Sequence, residues 1–138
     1  MSKHEDIVEQ FHKAMNLPIN VPFNADLLTL RKRLLQEEIE ELFVELDSAI
    51  ALTQKGEAVP QELFENICKE TSDVQYVLSG LSVSFGIPIE QAFELTHESN
   101  MSRLGPDGKP VYREDGKITK GPNYHKPDLH SLRQKVEK

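Results

Sequence analysis

No apolar run in the chain approaches the roughly 18 residues that span a bilayer, and cysteine occurs once, at Cys68. Basic residues are sparse over residues 1–102, which hold 7 Lys/Arg against 18 Asp/Glu. Each scarcity excludes something. Without a long apolar run there is no membrane segment. One cysteine builds no disulfide framework, and Cys68 falls roughly opposite Glu70 on its helix with no partner base indicated, so a catalytic thiol is not expected there. The opening Met1-Ser2-Lys3-His4-Glu5-Asp6 is polar and acidic and lacks the apolar core of a secretion signal. Together these features lead to the expectation of a cytoplasmic protein. An acidic body also argues against duplex nucleic acid as partner, because binding the phosphate backbone takes a broad basic surface.

What is present is one domain's worth of soluble chain: 138 residues, 38% hydrophobic and 28% charged. The expectation is a single domain over 1–138, with a helical body over about 3–104 and an extension over about 105–138. Charge is segregated along it. The net −7 combines the acidic body with residues 103–138, which carry 9 Lys/Arg against 5 Asp/Glu. That division leaves room for a small polyphosphate bridged by metal.

Periodicity and punctuation predict four helices. Ile7, Val8, Phe11, Ala14 and Met15 give a helical repeat from about Lys3 to Asn16, and Pro18 and Pro22 make the next segment an extended connection. Asn24 reads as an N-cap for a helix from about Ala25 to Gln54, which ends near Gly56. Pro60 opens a third helix that reaches about Ser84, and Pro88 a fourth, over about 89–102. The short link between the second and third makes them an antiparallel pair. Beyond Ser102, turn sequences frame two short candidate strands, Val111-Tyr112-Arg113 and Lys117-Ile118-Thr119. The architecture is all-α: an antiparallel bundle of about four helices with an irregular C-terminal extension. Apolar residues from Leu30 round to Ile39 cover more of the second helix than one antiparallel neighbour hides, so a homodimer or homotetramer is expected.

Acidic residues interrupt this apolar pattern. At about 100° per residue, Glu38 and Glu41 share a face with Leu27, Leu34, Leu42 and Ala49, while Glu70 and Asp73 line up with Leu63, Ile67, Val74, Val77 and Leu81. Carboxylates three apart on a helix are neighbours, so each pair forms a claw, and the antiparallel pairing turns the claws toward each other. Converging carboxylates call for a compensating cation. Hard divalent ions such as Mg²⁺, with Mn²⁺ as substitute, prefer oxygen ligands and are commonly held jointly with substrate phosphates. The competing readings are a structural acidic network offset by Arg31, which lies on the same stripe, or by a partner chain. Glu40 points away and reads as solvated surface.

Glu37-Glu38-x-x-Glu41, followed after 28 intervening residues by Glu70-x-x-Asp73, resembles the signature of the all-α nucleoside triphosphate pyrophosphohydrolases. This superfamily holds MazG, the dimeric dUTPases and phosphoribosyl-ATP pyrophosphohydrolase. The likeness spans about residues 5–130 and is greatest to single-domain MazG-like housecleaning enzymes. His97-Glu98-Ser99-Asn100-Met101-Ser102-Arg103 resembles the group's fourth helix, where an Asn and a basic residue follow the metal helices, although a lysine is frequent where Arg103 stands. The resemblance implies hydrolysis between the α and β phosphates to a nucleoside monophosphate and pyrophosphate. It also implies that Glu38, Glu41, Glu70 and Asp73 hold Mg²⁺.

Glu37, at the edge of the stripe, is the candidate general base, the alternative being a solvated side chain. Asn100, Arg103, Lys120 and Tyr124 are candidates for substrate binding, Arg103 as a bidentate phosphate ligand. Lys109, Arg113, Lys117, Lys120 and Lys126 read either as solvent-exposed, the default for each, or as a basic flap over the triphosphate. His97 and Asn100 fall on the face of Ile89, Phe93 and Leu104, so both are expected to enter the inner stripe of their helix. Phe11, His12 and Phe23 are candidates for a base pocket. Two other classes are weighed: a non-catalytic acidic interaction module, and a di-iron carboxylate bundle, for which the chain offers a single Glu-x-x-His, Glu94 to His97.

Overall fold

A computed structural model describes residues 3–136. The element order is α1 (Lys3–Ala14), α2 (Ala25–Gln54), α3 (Gln61–Phe85), α4 (Ile89–Met101), β1 (Val111–Tyr112) and β2 (Ile118–Thr119). The chain is therefore all-α, with one two-stranded ladder.

Local chemistry accounts for the boundaries. Glu5 and Asp6 occupy the first turn of α1 and Lys13 its last, each sign at the favourable end of the helix dipole. The helix stops at Ala14, two residues before the expected Asn16, because Asn16 takes the left-handed conformation at φ 55°. The Asn24 side chain accepts from the Leu27 N–H at 3.0 Å and caps α2. Thirty residues later α2 ends at a turn containing Gly56, whose φ is 74°. Pro60 precedes α3, and Gly86 at φ 63° terminates it.

The chain divides into two compact units, one taking in the residues up to Ile87 together with those from Gln134 on, the other Pro88–Arg133. In the first, α3 packs against both α1 and α2. Phe85 is fully buried and its ring lies 5.0 Å from that of Phe23. The returning C-terminal segment is tied to the end of α3: the Lys135 N–H donates to the Gly86 carbonyl at 2.9 Å, and Gln134 Nε2 to the Val21 carbonyl at 2.8 Å. Only Val8, Leu63, Val83 and Phe85 are buried apolar residues among those described. By contrast, Phe43, Val44, Ile50 and Phe64 are more than half exposed.

The second unit holds α4 and the hairpin, in which Val111 pairs with Thr119 and Tyr112 with Ile118. The side of α4 that packs is not the one read from the sequence. Ser99 is buried while His97 and Asn100 are exposed, and Phe93 is 70% exposed. Ala92, Leu95, Ser99 and Ser102 form the inner side, because the Ser99 hydroxyl is taken inward by the His125 carbonyl at 2.7 Å.

Candidate metal centre

Glu38 and Glu41 come from α2, Glu70 and Asp73 from α3, each pair one turn apart. One carboxylate oxygen from each residue falls within 4.8 Å of the others. Glu38, Glu70 and Asp73 are partly buried and Glu41 is exposed, so the group opens at one side. Glu38 Oε2 and Glu70 Oε2 are buried and have no hydrogen-bond partner. Two buried carboxylate oxygens without a partner, on residues of an all-oxygen donor set, fit a hard divalent cation. The same crowding acts on protonation. Burial first, then the charges of Glu41 and Asp73, a hydrogen bond to Glu41, and the charge of Glu70, push the Glu38 carboxyl above the usual carboxylate range.

Among the described residues Lys69 meets the rim of the cluster, its Nζ 2.6 Å from Asp73 Oδ2 and 3.6 Å from Glu70 Oε1. The Asp73 hydrogen bond is the main reason its pKa is raised. Sequence reasoning passed over Lys69, although the i, i+4 spacing to Asp73 is the pattern for such a pair. Arg31, by contrast, does not offset the cluster as expected. It is buried, its Nη2 lies 3.5 Å from His12 Nε2, and its Nε has no partner. A Cβ on Gly80 would stand 2.6 Å from Arg31 Nη1, so the bare glycine is what admits the guanidinium. Glu37 is exposed beside Glu38 and lies outside the four-carboxylate group.

A family comparison bears on this geometry. The model of the phosphoribosyl-ATP pyrophosphohydrolase family matches residues 8–100, more than half of the chain and all four clustered carboxylates. The chain belongs to that family. It is thus a member of the all-α nucleoside triphosphate pyrophosphohydrolase superfamily and an enzyme acting on phosphoric anhydrides. No curated protein matches the chain.

Of the candidate substrate ligands of this pyrophosphohydrolase, three come together in the second unit. The Arg103 guanidinium sits 5.3 Å from the centre of the Tyr124 ring and Lys120 Nζ 4.7 Å from it. Backbone geometry sets this up. The Gly121 N–H donates to the Arg103 carbonyl at 2.9 Å, in a space where a Cβ would meet that oxygen at 2.7 Å. The His125 N–H donates to Ser102 Oγ at 3.1 Å. Asn100 stays on the exposed side of α4. The suggested base-pocket trio is not assembled: Phe11 meets Tyr76 edge to face at 5.6 Å, Phe23 meets Phe85, and the His12 ring bonds the Pro18 carbonyl at 2.8 Å. Among the other basic residues, Arg113 pairs with Asp115 at 2.8 Å within the hairpin. Glu94 and His97 are exposed, and the clustered group contains no histidine, which removes the motif a di-iron bundle needs.

Proposed function

We propose that the protein is a Mg²⁺-dependent nucleoside triphosphate pyrophosphohydrolase that cleaves the α–β phosphoanhydride to a nucleoside monophosphate and pyrophosphate, with nucleotide-pool housecleaning as its role. The observation that carries this reading is the gathering of four carboxylates with two buried, unpartnered oxygens in a chain of this family. Glu38, Glu41, Glu70 and Asp73 hold Mg²⁺, with Mn²⁺ as a workable substitute. A divalent cation bound there supplies Lewis-acid polarisation of the phosphates and neutralises charge on the departing pyrophosphate.

The chain's own groups do the rest. Glu37, exposed next to Glu38, takes the proton of the attacking water. The water oxygen bonds to phosphorus, the bridging P–O bond breaks, and pyrophosphate leaves with its electron pair. Arg103 and Lys120 bind substrate phosphate, with Tyr124 steadying both cations, and Asn100 contributes a hydrogen bond to phosphate or sugar. The substrate class includes deoxy and non-canonical nucleotides as well as phosphoribosyl-ATP, the compound in the family's name.

The same reading takes residues 1–138 as one functional domain, working in the cytoplasm as a homodimer or homotetramer. Support for self-association comes from Leu28, Phe43, Leu46 and Ile50, which run along one side of α2 and are between 36% and 56% exposed. Light scattering coupled to size exclusion tests it, and a clean monomer would overturn it.

The activity is tested by pyrophosphate release from a broad nucleotide panel with Mg²⁺ or Mn²⁺. Glu38→Gln should lower turnover at least about a hundredfold, the upper end of what losing even an outer-sphere partner costs. A folded protein that splits no member of the panel would sink the proposal.

A further inference from the structure

Lys69 stands next to Glu70 on α3 and one turn before Asp73, and its ammonium meets both. Its side chain is 68% exposed, while those of Asp73 and Glu70 are 35% and 15% exposed. The cation therefore lies toward solvent from two carboxylates of the four-residue group. Glu70 is divided between two environments: Oε1 is the oxygen nearer to Lys69, and Oε2 is buried without a partner. A polyphosphate reaching a cation held by these residues must come from solvent, and Lys69 is already in contact with two of them.

The pairing of Lys69 is of a kind that gives way. An ion pair this exposed is screened by water and salt and holds a long side chain in one geometry, so it adds little stability. A divalent cation brings twice the charge to the same oxygens and is attracted by four carboxylates at once. Lys69 and the metal thus compete for Asp73 and Glu70, and the metal has the stronger claim. What is displaced is still a cation. Lysine carries three donors and no acceptor on a flexible four-carbon stem, so an ammonium turned out by the metal needs a new acceptor and can move to find one.

Charge supplies that acceptor. One divalent cation offsets only half the charge of four ionised carboxylates, so a loaded centre would still repel a nucleotide's polyphosphate. A freed ammonium at the rim reduces this repulsion and offers a phosphate oxygen a charge-assisted hydrogen bond. We propose that Lys69 is an exchangeable counter-ion of the metal centre: it neutralises Asp73 and Glu70 in the metal-free protein, and once a divalent cation takes those oxygens it binds a phosphate of the incoming nucleotide. This inference rests on the reading of the carboxylate group as the Mg²⁺ and phosphate site.

Two measurements on the full chain test it, and they separate its failure from failure of the hydrolase reading. The first uses Mg²⁺ alone and needs no turnover. The Cε methylene NMR signal of Lys69, assigned by its loss in Lys69→Arg, should shift on Mg²⁺ binding. Calorimetry should show Lys69→Met taking Mg²⁺ about two- to fivefold more tightly than wild type. A Lys69 signal that saturating Mg²⁺ leaves in place, or a weaker Mg²⁺ affinity in Lys69→Met, overturns the proposal even where the metal centre itself is real.

The second measures binding, in saturating Mg²⁺, of the α,β-methylene analogues of dUTP, dCTP, dATP and dGTP, whose α–β bridge is not hydrolysed. Lys69→Met should weaken the best-bound analogue about tenfold, as for one charge-assisted hydrogen bond lost from an open site. Lys69→Arg, which keeps the charge, should recover most of that loss. Lys55→Met removes the same charge at the exposed end of α2, about 20 Å along the helix from Glu41, and should change neither affinity. Analogue affinity within twofold of wild type in Lys69→Met, or equal effects in Lys55→Met, overturns the proposal. A wild type that takes Mg²⁺ but no analogue would sink the hydrolase reading, and the phosphate half of this proposal with it.

Discussion

Glu38 and Glu70 stand on facing helices with one carboxylate oxygen each buried and unbonded, inside a group whose ligand atoms lie within 4.8 Å. Without a cation these charges repel one another, and a divalent cation held there would offset that repulsion. The two states should therefore respond oppositely to the same change. Glu38→Gln should raise the melting temperature of metal-free protein, since it removes a carboxyl whose pKa is elevated by burial and by Glu41, Asp73 and Glu70. It should also shrink the stabilisation that Mg²⁺ gives, with affinity falling about tenfold or more. Thermal melts with and without Mg²⁺, together with calorimetric titration, check both halves.

Lys69 contacts the same cluster from its exposed rim. It would compete with a bound metal for Asp73, so Lys69→Met should tighten Mg²⁺ binding by a small factor. A loss of affinity on calorimetry would mean that Lys69 supports the site.

The acid limb of stability should carry the mark of His12. The Pro18 carbonyl can only accept, so Nδ1 bears the proton and Nε2 faces Arg31. Protonating Nε2 would set two buried cations against each other. Burial and then the Arg31 charge lower the His12 pKa, outweighing the Pro18 bond and Glu9. A base with a lowered folded pKa binds fewer protons folded than unfolded. Its stabilising effect is thus complete above the ordinary histidine value near 6.5 and is lost as pH falls from there toward the folded pKa. Urea denaturation between pH 7 and 5 should show this loss, and His12→Gln should flatten it.

Gly86 ends α3 at φ 63°, and a Cβ there would come 1.9 Å from the Lys135 carbonyl oxygen and 2.8 Å from Asn20 Oδ1. Gly86→Ala adds left-handed strain to backbone overlap and should cost about 2 kcal/mol or more in chemical denaturation. Hydrogen exchange at the Lys135 amide should rise in the same variant.

In the second unit, Tyr124 carries two cations on one ring. Tyr124→Leu removes about 0.5–1 kcal/mol of ordering from each, which should raise KM a few-fold for every nucleotide alike. A base-dependent change would assign Tyr124 a different role.

Much of this was legible in the chain. Helix bounds followed from Asn24, Gly56, Pro60 and Gly86, because caps and breakers act locally. The acidic cluster followed from two i, i+3 pairs and a short turn, since helical period and a tight connection leave little freedom. What failed depended on tertiary partners. Arg31 shares a stripe with Glu38, yet Gly80 opens space for it toward His12, and nothing in the spacing of α2 records a vacancy on another helix. His97 and Asn100 were assigned inward because Ile89 and Phe93 were, but the His125 carbonyl draws in the serine edge. The hydrogen bond that the Ser79 hydroxyl donates to Glu5 was also hidden, since it joins residues 74 positions apart in sequence.

The clasp of Lys135 on Gly86 means that the excursion beginning at Pro88 starts and finishes at one doorway of the first unit. Length can therefore be gained or lost in the loops between residues 105 and 133 without parting the two ends that the first unit holds together.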